Sequence, residues 1–386
     1  MDYDVIVAGV GGMGSATAAE LASRGARVLG LERAGIPNDS GSSHGINRII
    51  RLAYAEDPRY VPLLRRAYRR WHELEARSGE RILVTTGGLD IGRPDSETVR
   101  GALASARAHD LEHEVLDADA LVERYPGFRL PDGLVAIYQP DGGFVLSERA
   151  IAAYARLALD AGADLRGYEP LTGWQADGDG VVARTARGTY RARRLVISAG
   201  AWLAGLVPVL AALAVPERQV LLWTRTLRPQ LYAVGAFPIF ILDVPEGLYY
   251  GFPEFGVPGL KIGRMHHRGQ IVDPGTYDRS AFEPEDESVL RAAISRYLPA
   301  ADGPVLTRKT CLFTNTPDGH FIIDKLPSAP QVVIVSPCSG HGFKFASVVG
   351  EIAADLALDG ATDHDIGMFR IDRFGPRATS ARGDHA

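Results

Sequence analysis

The sequence is short of lysine: only four of its 42 basic residues are lysines, namely Lys261, Lys309, Lys325 and Lys344. An ammonium group is compact and can lose its proton when it is buried, whereas a guanidinium stays charged. In a chain so rich in arginine, a lysine indicates a position that needs the smaller ammonium group or its ability to lose a proton. Because Lys261 and Lys344 lie in apolar segments flanked by glycine, we predict functional roles for these two and surface positions for the others.

Cysteine is scarce as well. The two cysteines, Cys311 and Cys338, are too few for a disulfide framework, and neither has the spacing of a metal ligand. This usage predicts no metal site and fits a protein of the cytoplasm.

Long apolar runs and an excess of positive charge are also absent. No stretch of about 20 apolar residues could span a bilayer, and the N-terminus leads directly into a predicted strand, so we expect neither a membrane anchor nor a signal peptide. A formal net charge of −5 and a pI near 6.1 argue against nucleic acid and anionic membranes as partners. With 46% hydrophobic and 23% charged residues over 386 positions, we expect two globular domains.

The sequence does contain a dinucleotide-binding fingerprint at its start. An apolar run at residues 4–8 predicts a buried parallel strand. Gly9-Val10-Gly11-Gly12-Met13-Gly14 follows it, and residues 15–23 have helical spacing. A second apolar run ends in Glu32-Arg33. A strand before the glycines, a helix after them and an acid at this distance together indicate a βαβ unit that binds a dinucleotide.

Each part of this unit has a physical task. Gly9 allows the tight turn, Gly11 lets the backbone approach a pyrophosphate, and Gly14 lets the helix pack closely on the strand. The free N–H groups and the dipole at the helix start attract the phosphates. The Glu32 carboxylate can accept both hydroxyls of an adenosine ribose. The motif alone does not separate FAD from NAD, but its place at the N-terminus of a chain with no second fingerprint is typical of FAD enzymes.

Two folding patterns alternate along the chain. Nucleotide-type segments cover about 1–80, 145–212 and 318–372, and segments typical of an antiparallel sheet cover 81–144 and 213–317. We predict an α/β fold (α+β overall), in which a Rossmann-like FAD-binding domain is interleaved with an antiparallel-sheet substrate domain and a cleft lies between them. Residues 373–386 are poor in apolar side chains and are predicted to form a disordered tail.

Local patterns place several elements within this scheme. Residues 58–77 are predicted to form an amphipathic helix, and residues 343–358 a helix that follows a glycine-rich turn. A predicted strand at 189–197 runs into Ser198-Ala199-Gly200-Ala201-Trp202. A strand-to-helix turn of this kind can approach a cofactor, so Gly200 and Trp202 join the predicted cofactor site.

Three further motifs carry a family resemblance. The first is Gly41-Ser42-Ser43-His44-Gly45 with Arg48-Ile49-Ile50-Arg51, the second spans residues 309–324 around Cys311, and the third is Ser339-Gly340-His341-Gly342-Phe343-Lys344-Phe345. Together with the fingerprint, and in this order, they resemble the monomeric sarcosine oxidase family. That family includes N-methyltryptophan oxidase and related amine oxidases of the D-amino-acid oxidase superfamily. The resemblance extends from Tyr3 to about Gly360.

The resemblance implies FAD held covalently through a cysteine sulfur, oxidation of a secondary amine, and reoxidation by O₂ to hydrogen peroxide. Cys311 matches the cysteine that carries the flavin, and Cys338 is interpreted as a packing residue. The expected cofactor contacts outside the fingerprint come from two loops: Ser42, Ser43, His44 and Arg48 in one, and Gly340, His341, Gly342, Phe343 and Lys344 in the other. The start of the helix at Lys344 is expected to face the flavin pyrimidine ring, where its dipole would stabilise negative charge.

The resemblance also implies roles for the basic residues. Arg51 and Lys344 match the pair that holds the substrate carboxylate, and a cation at a helix N-terminus is itself a sign of a compensating anion. Lys261 and Arg48 match the positive groups that assist the reaction with O₂. His266 or His267 is expected to replace the family's active-site histidine or acid. The residue four places after Lys261 is Met265, so the choice between the two histidines is open.

One departure bears on the substrate. Members specific for sarcosine have a tyrosine two residues after the cysteine, where this chain has Phe313. Tyr250, with its neighbour Tyr249, is predicted to supply an aromatic wall of the pocket. We therefore expect the substrate to be an N-methyl or other secondary amino acid different from sarcosine, and a cyclic imino acid such as proline or pipecolate is the alternative.

Two alternative functions, each from another class of protein, have less support in the sequence. An NAD-dependent dehydrogenase would share the fingerprint but has no use for Cys311, and a flavin carrier without oxidase activity would not need Lys261. The expected partners are therefore a small amine and O₂, with the protein acting as a monomer.

Overall fold

The computed structural model describes residues 1–337 and 339–375. Cys338, which was predicted to be a packing residue, lies outside the described residues. So do residues 376–386, which make up most of the predicted disordered tail. Arg373, at the start of that tail, is in a short 3₁₀ helix and forms an ion pair with Asp318 at 2.8 Å.

Strands and helices interleave through the described chain. The strands are β1 (Tyr3–Ala8), β2 (Val28–Leu31), β3 (Asn47–Ile50), β4 (Leu83–Thr85), β5 (Gly88–Gly92), β6 (Glu114–Asp117), β7 (Val135–Gln139), β8 (Gly143–Leu146), β9 (Asp164–Arg166), β10 (Gly173–Asp177), β11 (Gly180–Thr185), β12 (Gly188–Ile197), β13 (Val215–Thr224), β14 (Ile239–Val244), β15 (Gly247–Phe252), β16 (Leu260–Arg264), β17 (Val305–Asn315), β18 (Ile322–Leu326) and β19 (Ala329–Ser336). The helices are α1 (Gly12–Ser23), α2 (Val61–Ser78), α3 (Glu97–Ala108), α4 (Ala118–Arg124), α5 (Ser147–Asp160), α6 (Leu203–Leu206), α7 (Pro284–Tyr297) and α8 (Ala346–Leu358). The predicted mixed α/β fold is confirmed.

The first large sheet has the order β10-β11-β12-β1-β2-β9, and β19 joins it beside β12 and carries β18 on its other side. Its central strands are parallel: β1 pairs with β2 and β12, β2 with β9, and β12 with β19. β2, residues 5–8 of β1 and residues 195–197 of β12 are buried, as expected at the centre of a parallel sheet covered by helices, whereas the edge strand β9 is half-buried. Helices α1, α2, α5 and α8 pack together in one apolar core with it.

The second large sheet has the order β17-β13-β16-β15-β14-β5-β7-β6. Every pairing in it is antiparallel except that of β14 with β5, which is parallel. A small third sheet, β3-β8-β4, lies where the segment of Arg48 pairs with Gly143–Leu146. The domain boundaries given above remain a prediction.

The helix predicted over residues 58–77 is confirmed as a 3₁₀ turn at Pro58–Tyr60 followed by α2. Its predicted inner face, formed by Tyr60, Leu63, Leu64, Ala67, Trp71 and Leu74, is buried. Among the described residues no helix combines the length and apolar character needed to cross a membrane.

Candidate active site

A cavity opens at the carboxyl ends of four parallel strands. The residues after β1, β2, β12 and β19 line it: Gly9, Glu32, Ser198 and Pro337. Ligands of open α/β sheets bind at this edge of the sheet, where the loops after parallel strands diverge. We call this cavity the nucleotide cavity.

The glycine loop has the backbone that the fingerprint requires. Gly9 has φ of 94°, which favours glycine, and a Cβ on Gly14 would lie 1.8 Å from the carbonyl oxygen of Gly9. A Cβ on Gly11 would meet no atom within 4 Å, so the backbone there faces open space. No side chain caps the first turn of α1, so its N–H groups are available to a phosphate.

Glu32 is buried and closes this loop onto the second strand. Its carboxylate accepts hydrogen bonds from the backbone N–H groups of Val10 at 2.8 Å and Ala34 at 3.1 Å. Burial raises the pKa of Glu32, and these backbone hydrogen bonds oppose the rise. Each oxygen retains a second lone pair for a ligand hydroxyl.

The nucleotide cavity also contains buried polar atoms without partners in the described chain. The Trp202 indole Nε1 and the Thr314 hydroxyl are two of them, and both residues line the cavity. Buried polar groups are seldom left unpaired in a folded protein, so these atoms indicate a polar ligand. A cavity with a phosphate-binding loop, a ribose-binding acid and free donors fits FAD.

Most of the predicted cofactor residues line this cavity: Gly9, Gly11, Gly12, Met13, Glu32, Arg33, Ser42, Ser43, Arg48, Gly200, Trp202, Gly340, Gly342 and Phe343. Arg33 stacks over the Trp202 ring, with its guanidinium carbon 4.2 Å from the centroid. Gly14 packs behind the loop. Cys311, His341 and Lys344 line a second cavity instead.

The second cavity meets the first at one place. Arg48, Phe313, Gly340 and Phe343 line both cavities. We call the second one the substrate cavity, because a compound bound there would lie next to a ligand of the nucleotide cavity at these four residues. The two cavities therefore adjoin one another at these four residues.

Cys311 lies at this junction on β17. Its sulfur is buried, 3.5 Å from the Ser42 carbonyl oxygen and 3.5 Å from Nη2 of Arg48. The same Arg48 guanidinium donates to the carbonyl oxygens of Ser42 and Asn47 at 2.7 and 2.9 Å. A rigid strand thus holds a sulfur beside a fixed positive charge.

His44 is buried next to this cluster. Neither ring nitrogen has a hydrogen-bond partner among the described residues. Burial, with a contribution from the positive charge of Arg48, lowers the pKa of His44 to about 3. The ring is therefore neutral at physiological pH.

Lys261 is only 2% exposed, and its ammonium contacts the same segment of chain as Arg48. Its ammonium donates to the Gly45 carbonyl, the Asn47 carbonyl and the Asn47 side-chain oxygen, each at 2.8 Å. Burial, and then the charge of Arg48, lowers the pKa of Lys261. The Asn47 carbonyl accepts from both Lys261 and Arg48, so the two cations are linked through one oxygen.

Arg51 lies in the wall of the substrate cavity between two carboxylates. Its Nε is 3.3 Å from Oδ1 of Asp90, which is fully buried, and its Nη2 is 3.2 Å from Oε2 of Glu56. The acids Asp90 and Glu56 together raise the pKa of Arg51 against the opposing effect of burial. Burial raises the pKa of Asp90 to about 6, although Arg51 opposes this shift.

Lys344 lines the same cavity. Its ammonium donates to the Tyr54 hydroxyl at 3.2 Å and to the His341 carbonyl at 2.8 Å. Burial, and then the charge of Arg51, lowers the pKa of Lys344 to about 7. The Tyr54 hydroxyl in turn lies 2.6 Å from Nδ1 of His341, whose pKa burial lowers to about 4.

The structure separates the two candidate histidines. His266 lines the substrate cavity, and its ring packs edge-on against Phe313 at a centroid distance of 6.3 Å. The His267 side chain is 0% exposed, and its Nε2 lies 3.1 Å from Asp286 in a buried network with Arg218. His267 is not among the residues that line either cavity, so its position does not support a catalytic role.

The structure also separates Tyr249 from Tyr250. Tyr250 lines the substrate cavity, while Tyr249 is buried in the core of the second sheet. Phe313 lies at the junction of the two cavities, where a Cβ on Gly340 would lie 2.6 Å from its ring. Of the three predicted aromatic residues, Tyr250 and Phe313 line the substrate cavity and Tyr249 does not.

Several residues of the site escaped the sequence analysis. Asp90 and Gln139 lie on neighbouring strands of the second sheet and hold the segment after β3: the Gln139 amide donates to Asp90 at 2.7 Å and its oxygen accepts from the N–H of Ala53. Glu56, which contacts Arg51, and Glu217, whose carboxylate lies 3.0 Å from Nδ1 of His266, were not predicted either. An acid inside an otherwise apolar strand, as at Asp90, is the one signal that could have marked such a residue.

Comparison with known proteins agrees with this geometry. Residues 4–356 match the family described as FAD dependent oxidoreductase. The chain is 45% identical to a monomeric sarcosine oxidase of Streptomyces avermitilis, over 95% of this chain and 96% of that protein. It is 39% identical to an N-methyl-L-tryptophan oxidase of Citrobacter koseri, over 97% of this chain and 100% of that protein.

A solved structure of NikD, an unusual amino acid oxidase essential for nikkomycin biosynthesis, superposes with a TM-score of 0.83 at 30% identity and covers 95% of this chain and 97% of that chain. A match of this extent, on a site whose loop and cavity fit the cofactor, establishes the relationship. The chain belongs to the family of FAD-dependent oxidoreductases that includes the monomeric sarcosine oxidases and N-methyl-L-tryptophan oxidases.

Proposed function

We propose that the protein is an FAD-dependent oxidase of a secondary amino acid, which it converts to an imine with O₂ as the electron acceptor and H₂O₂ as the second product. Water then hydrolyses the imine to an aldehyde and an amine. One observation carries the proposal: Arg51 and Lys344 line a cavity that adjoins the nucleotide cavity at Arg48 and Phe313. A carboxylate-binding pair beside a flavin-binding site is what an amino-acid oxidase needs.

The protein's own residues would orient the substrate. Arg51 and Lys344 would bind the carboxylate, and Glu56, which now contacts Arg51 and is 31% exposed, can turn toward solvent to make room for it. Asp90 stays behind Arg51 as a fixed counter-charge. Phe313 and Tyr250 would enclose the remainder of the molecule and exclude water from the reacting carbon.

FAD, when bound, supplies the redox chemistry: it accepts a hydride equivalent from the amine and passes two electrons to O₂. We propose that Cys311 holds this cofactor covalently through its sulfur, beside Arg48. The positive charges of Arg48 and Lys261 would stabilise the negative charge that develops on oxygen as it is reduced. Lys261 has all three protons bound to backbone or amide oxygens, so we expect it to act through its charge.

The covalent link has a simple test. Protein denatured in acid should keep its yellow chromophore, and a Cys311→Ser variant treated in the same way should release it to the supernatant. Release of the flavin from the wild-type protein would contradict the covalent link while leaving the oxidase proposal in place.

A panel of substrates tests the activity itself. Peroxide release should be measured with N-methyl amino acids that carry small and large side chains, with cyclic imino acids, and with primary amino acids. We expect N-methyl amino acids other than sarcosine to be oxidised fastest. Faster oxidation of proline or pipecolate would favour the cyclic alternative, and no peroxide with any compound would contradict the proposal.

We also make proposals about the oligomeric state, the compartment and the domain organisation of the protein. We propose a monomer in the cytoplasm; relatives named as monomeric oxidases and the scarcity of cysteine support it. We also propose the two interleaved domains, supported by the strands of the first sheet falling in 1–31, 164–197 and 322–336 and those of the second in 88–139 and 215–315.

A further inference from the structure

A buried carboxylate holds the one histidine of the pair 266 and 267 that lines the substrate cavity. Oε2 of Glu217 lies 3.0 Å from Nδ1 of His266. Glu217 itself is 4% exposed and is fixed by two amides, from Gln219 at 2.7 Å on its own strand and from Asn315 at 2.5 Å on β17. Two amides thus fix the Glu217 carboxylate, and the carboxylate in turn orients the His266 ring.

This contact decides which ring nitrogen carries the proton. An ionised carboxylate is only an acceptor, so Nδ1 of His266 must be the donor. In the neutral ring Nε2 then has a free lone pair, and it has no hydrogen-bond partner among the residues that the structure describes. The side chain is 60% exposed, so Nε2 can accept a proton from the cavity and return it to water.

The ring is placed close to where the chemistry must occur. It packs on Phe313, one of the four residues shared by the two cavities. Its backbone has φ of 56°, in a region that non-glycine residues rarely adopt, and the next residue, His267, also has positive φ. Such strain persists only where the surrounding structure imposes it, and it is concentrated at functional sites.

The proposed reaction requires a group that accepts a proton from the substrate ammonium. A secondary amino acid carries an ammonium group whose pKa is close to that of lysine, about 10.4, so only about one molecule in a thousand is neutral at pH 7.4. The ammonium has no lone pair and cannot be oxidised by hydride loss to an imine. The substrate must therefore lose one proton before it reacts.

We propose that Glu217 and His266 form the dyad that removes this proton. The ammonium N–H bond breaks, its electron pair stays on nitrogen as the lone pair, and the proton binds Nε2 of His266. The Glu217 carboxylate stabilises the resulting imidazolium, which then releases the proton to solvent. This inference rests on the proposed function and adds the step that prepares the amine for it.

The charges around the ring are consistent with this role. Glu217 is the acid in contact with it, and Phe313, Asn315 and Met265 are its uncharged neighbours at the cavity wall. Other charged or titratable groups lie on the same turn, namely Arg264, His267 and Arg268. Those that line the rest of the cavity are Arg48, Arg51, Glu56, Glu97, Tyr250, Cys311, Asp318, His320, His341 and Lys344. The Arg264 side chain is held by the carbonyl of His267, and Arg268 pairs with Glu283, so neither is paired with Glu217.

The test is the pH dependence of anaerobic flavin reduction in His266→Gln and Glu217→Gln holoenzymes. The second-order constant for reduction by an N-methyl amino acid should be measured from pH 6.5 to 9.5. At pH 7 we expect a loss of about 100-fold for His266→Gln and a smaller one, about 10-fold, for Glu217→Gln. The constant for His266→Gln should rise nearly tenfold per pH unit, because the variant uses only substrate that is already neutral, and the wild-type constant should rise much less.

Two controls separate proton transfer from damage to the cavity. His72 is also an exposed histidine, 63%, with Nδ1 3.0 Å from a glutamate, but it lies on α2 outside both cavities. His72→Gln should reproduce the wild-type profile. The Kd of propionate, which has a carboxylate but no ammonium, should stay within about twofold of wild type in His266→Gln.

The outcomes distinguish the two proposals. Profiles that run parallel for wild type and His266→Gln, or an equal loss of propionate affinity, would overturn the dyad and leave the oxidase intact. Failure of every amine to reduce the wild-type flavin at any pH would overturn the proposed function, and the dyad's role with it. If His266→Gln does not bind flavin, the same pH comparison with Glu217→Gln decides the question.

Discussion

The two buried lysines of this protein are chemically alike but differ in how many of their protons have acceptors. Lys261 has three oxygen acceptors at 2.8 Å for its three protons. Lys344 donates to two, the Tyr54 hydroxyl and the His341 carbonyl, and its third proton has no partner in the described chain. A saturated ammonium can act only through its charge, whereas Lys344 can still donate a hydrogen bond to a ligand.

Their surroundings reinforce this contrast. Lys344 shares its cavity with Arg51 and Glu56, so an arriving carboxylate meets two cations and one acid that can turn away. Lys261 lies against the Phe252 ring, with its nitrogen 4.3 Å from the centroid, and forms no ion pair with a described residue. These surroundings support the proposed roles of a fixed charge for Lys261 and a ligand-binding group for Lys344.

The largest effect that this comparison predicts concerns oxygen. Lys261→Met removes the fixed charge, so reoxidation of the reduced enzyme by O₂ should slow by about 100- to 1000-fold, the usual cost of losing one preorganised electrostatic group. Reduction by substrate should change far less. Stopped-flow measurement of the two half-reactions checks this, and equal slowing of both would remove the role assigned to Lys261.

The reciprocal variant should have the opposite signature. Lys344→Met deletes one partner of the carboxylate, which costs about 2–5 kcal/mol and so raises the Kd of propionate by about 30-fold or more. Its reaction with O₂ should stay within a few-fold of wild type. Spectral titration of the flavin with propionate gives the Kd, and a Kd unchanged from wild type would exclude Lys344 from the carboxylate site.

The pH dependence of binding gives a further test of the role proposed for Lys344. Because the pKa of Lys344 is lowered to about 7, the ligand-free ammonium loses its proton as the pH rises through 7. A carboxylate ligand binds the protonated form, so the Kd of propionate should rise with pH above about 7, by up to tenfold per unit. Lys344→Arg should flatten this slope, because arginine stays charged. A slope that persists in the arginine variant would assign the titration to another group.

The smallest effect belongs to a surface lysine. Lys309 pairs with Asp39 at 3.2 Å, with 44% of the lysine side chain exposed. Lys309→Met should change the free energy of unfolding by less than about 1 kcal/mol, as expected for an exposed ion pair. Denaturant titration measures it. A loss as large as that caused by a buried lysine would show that exposure does not separate the four lysines.

Features that depend on residues close together in the chain were predicted correctly, and features that depend on distant pairing were not. The glycine loop with Glu32 is a local motif, and the confirmed helix at Val61–Ser78 follows from the spacing of its apolar residues. The short strands β3 and β8 were missed, because each is stabilised by pairing with a distant segment rather than by its own pattern. For the same reason, no local pattern shows that residues 83–92 form two strands, β4 and β5, in different sheets.

By itself, the sequence determined the nucleotide-binding unit and the membership of an FAD-dependent family, since both depend on residues close together in the chain or on motifs in a fixed order. Only the tertiary structure decided which histidine enters the cavity and which acid holds it. His266 and Glu217 are 49 positions apart, and the choice between His266 and His267 depends on the positive φ of a turn and on a carboxylate from another strand. Contacts of that kind arise when strands pair across a sheet, and no spacing within the turn encodes them.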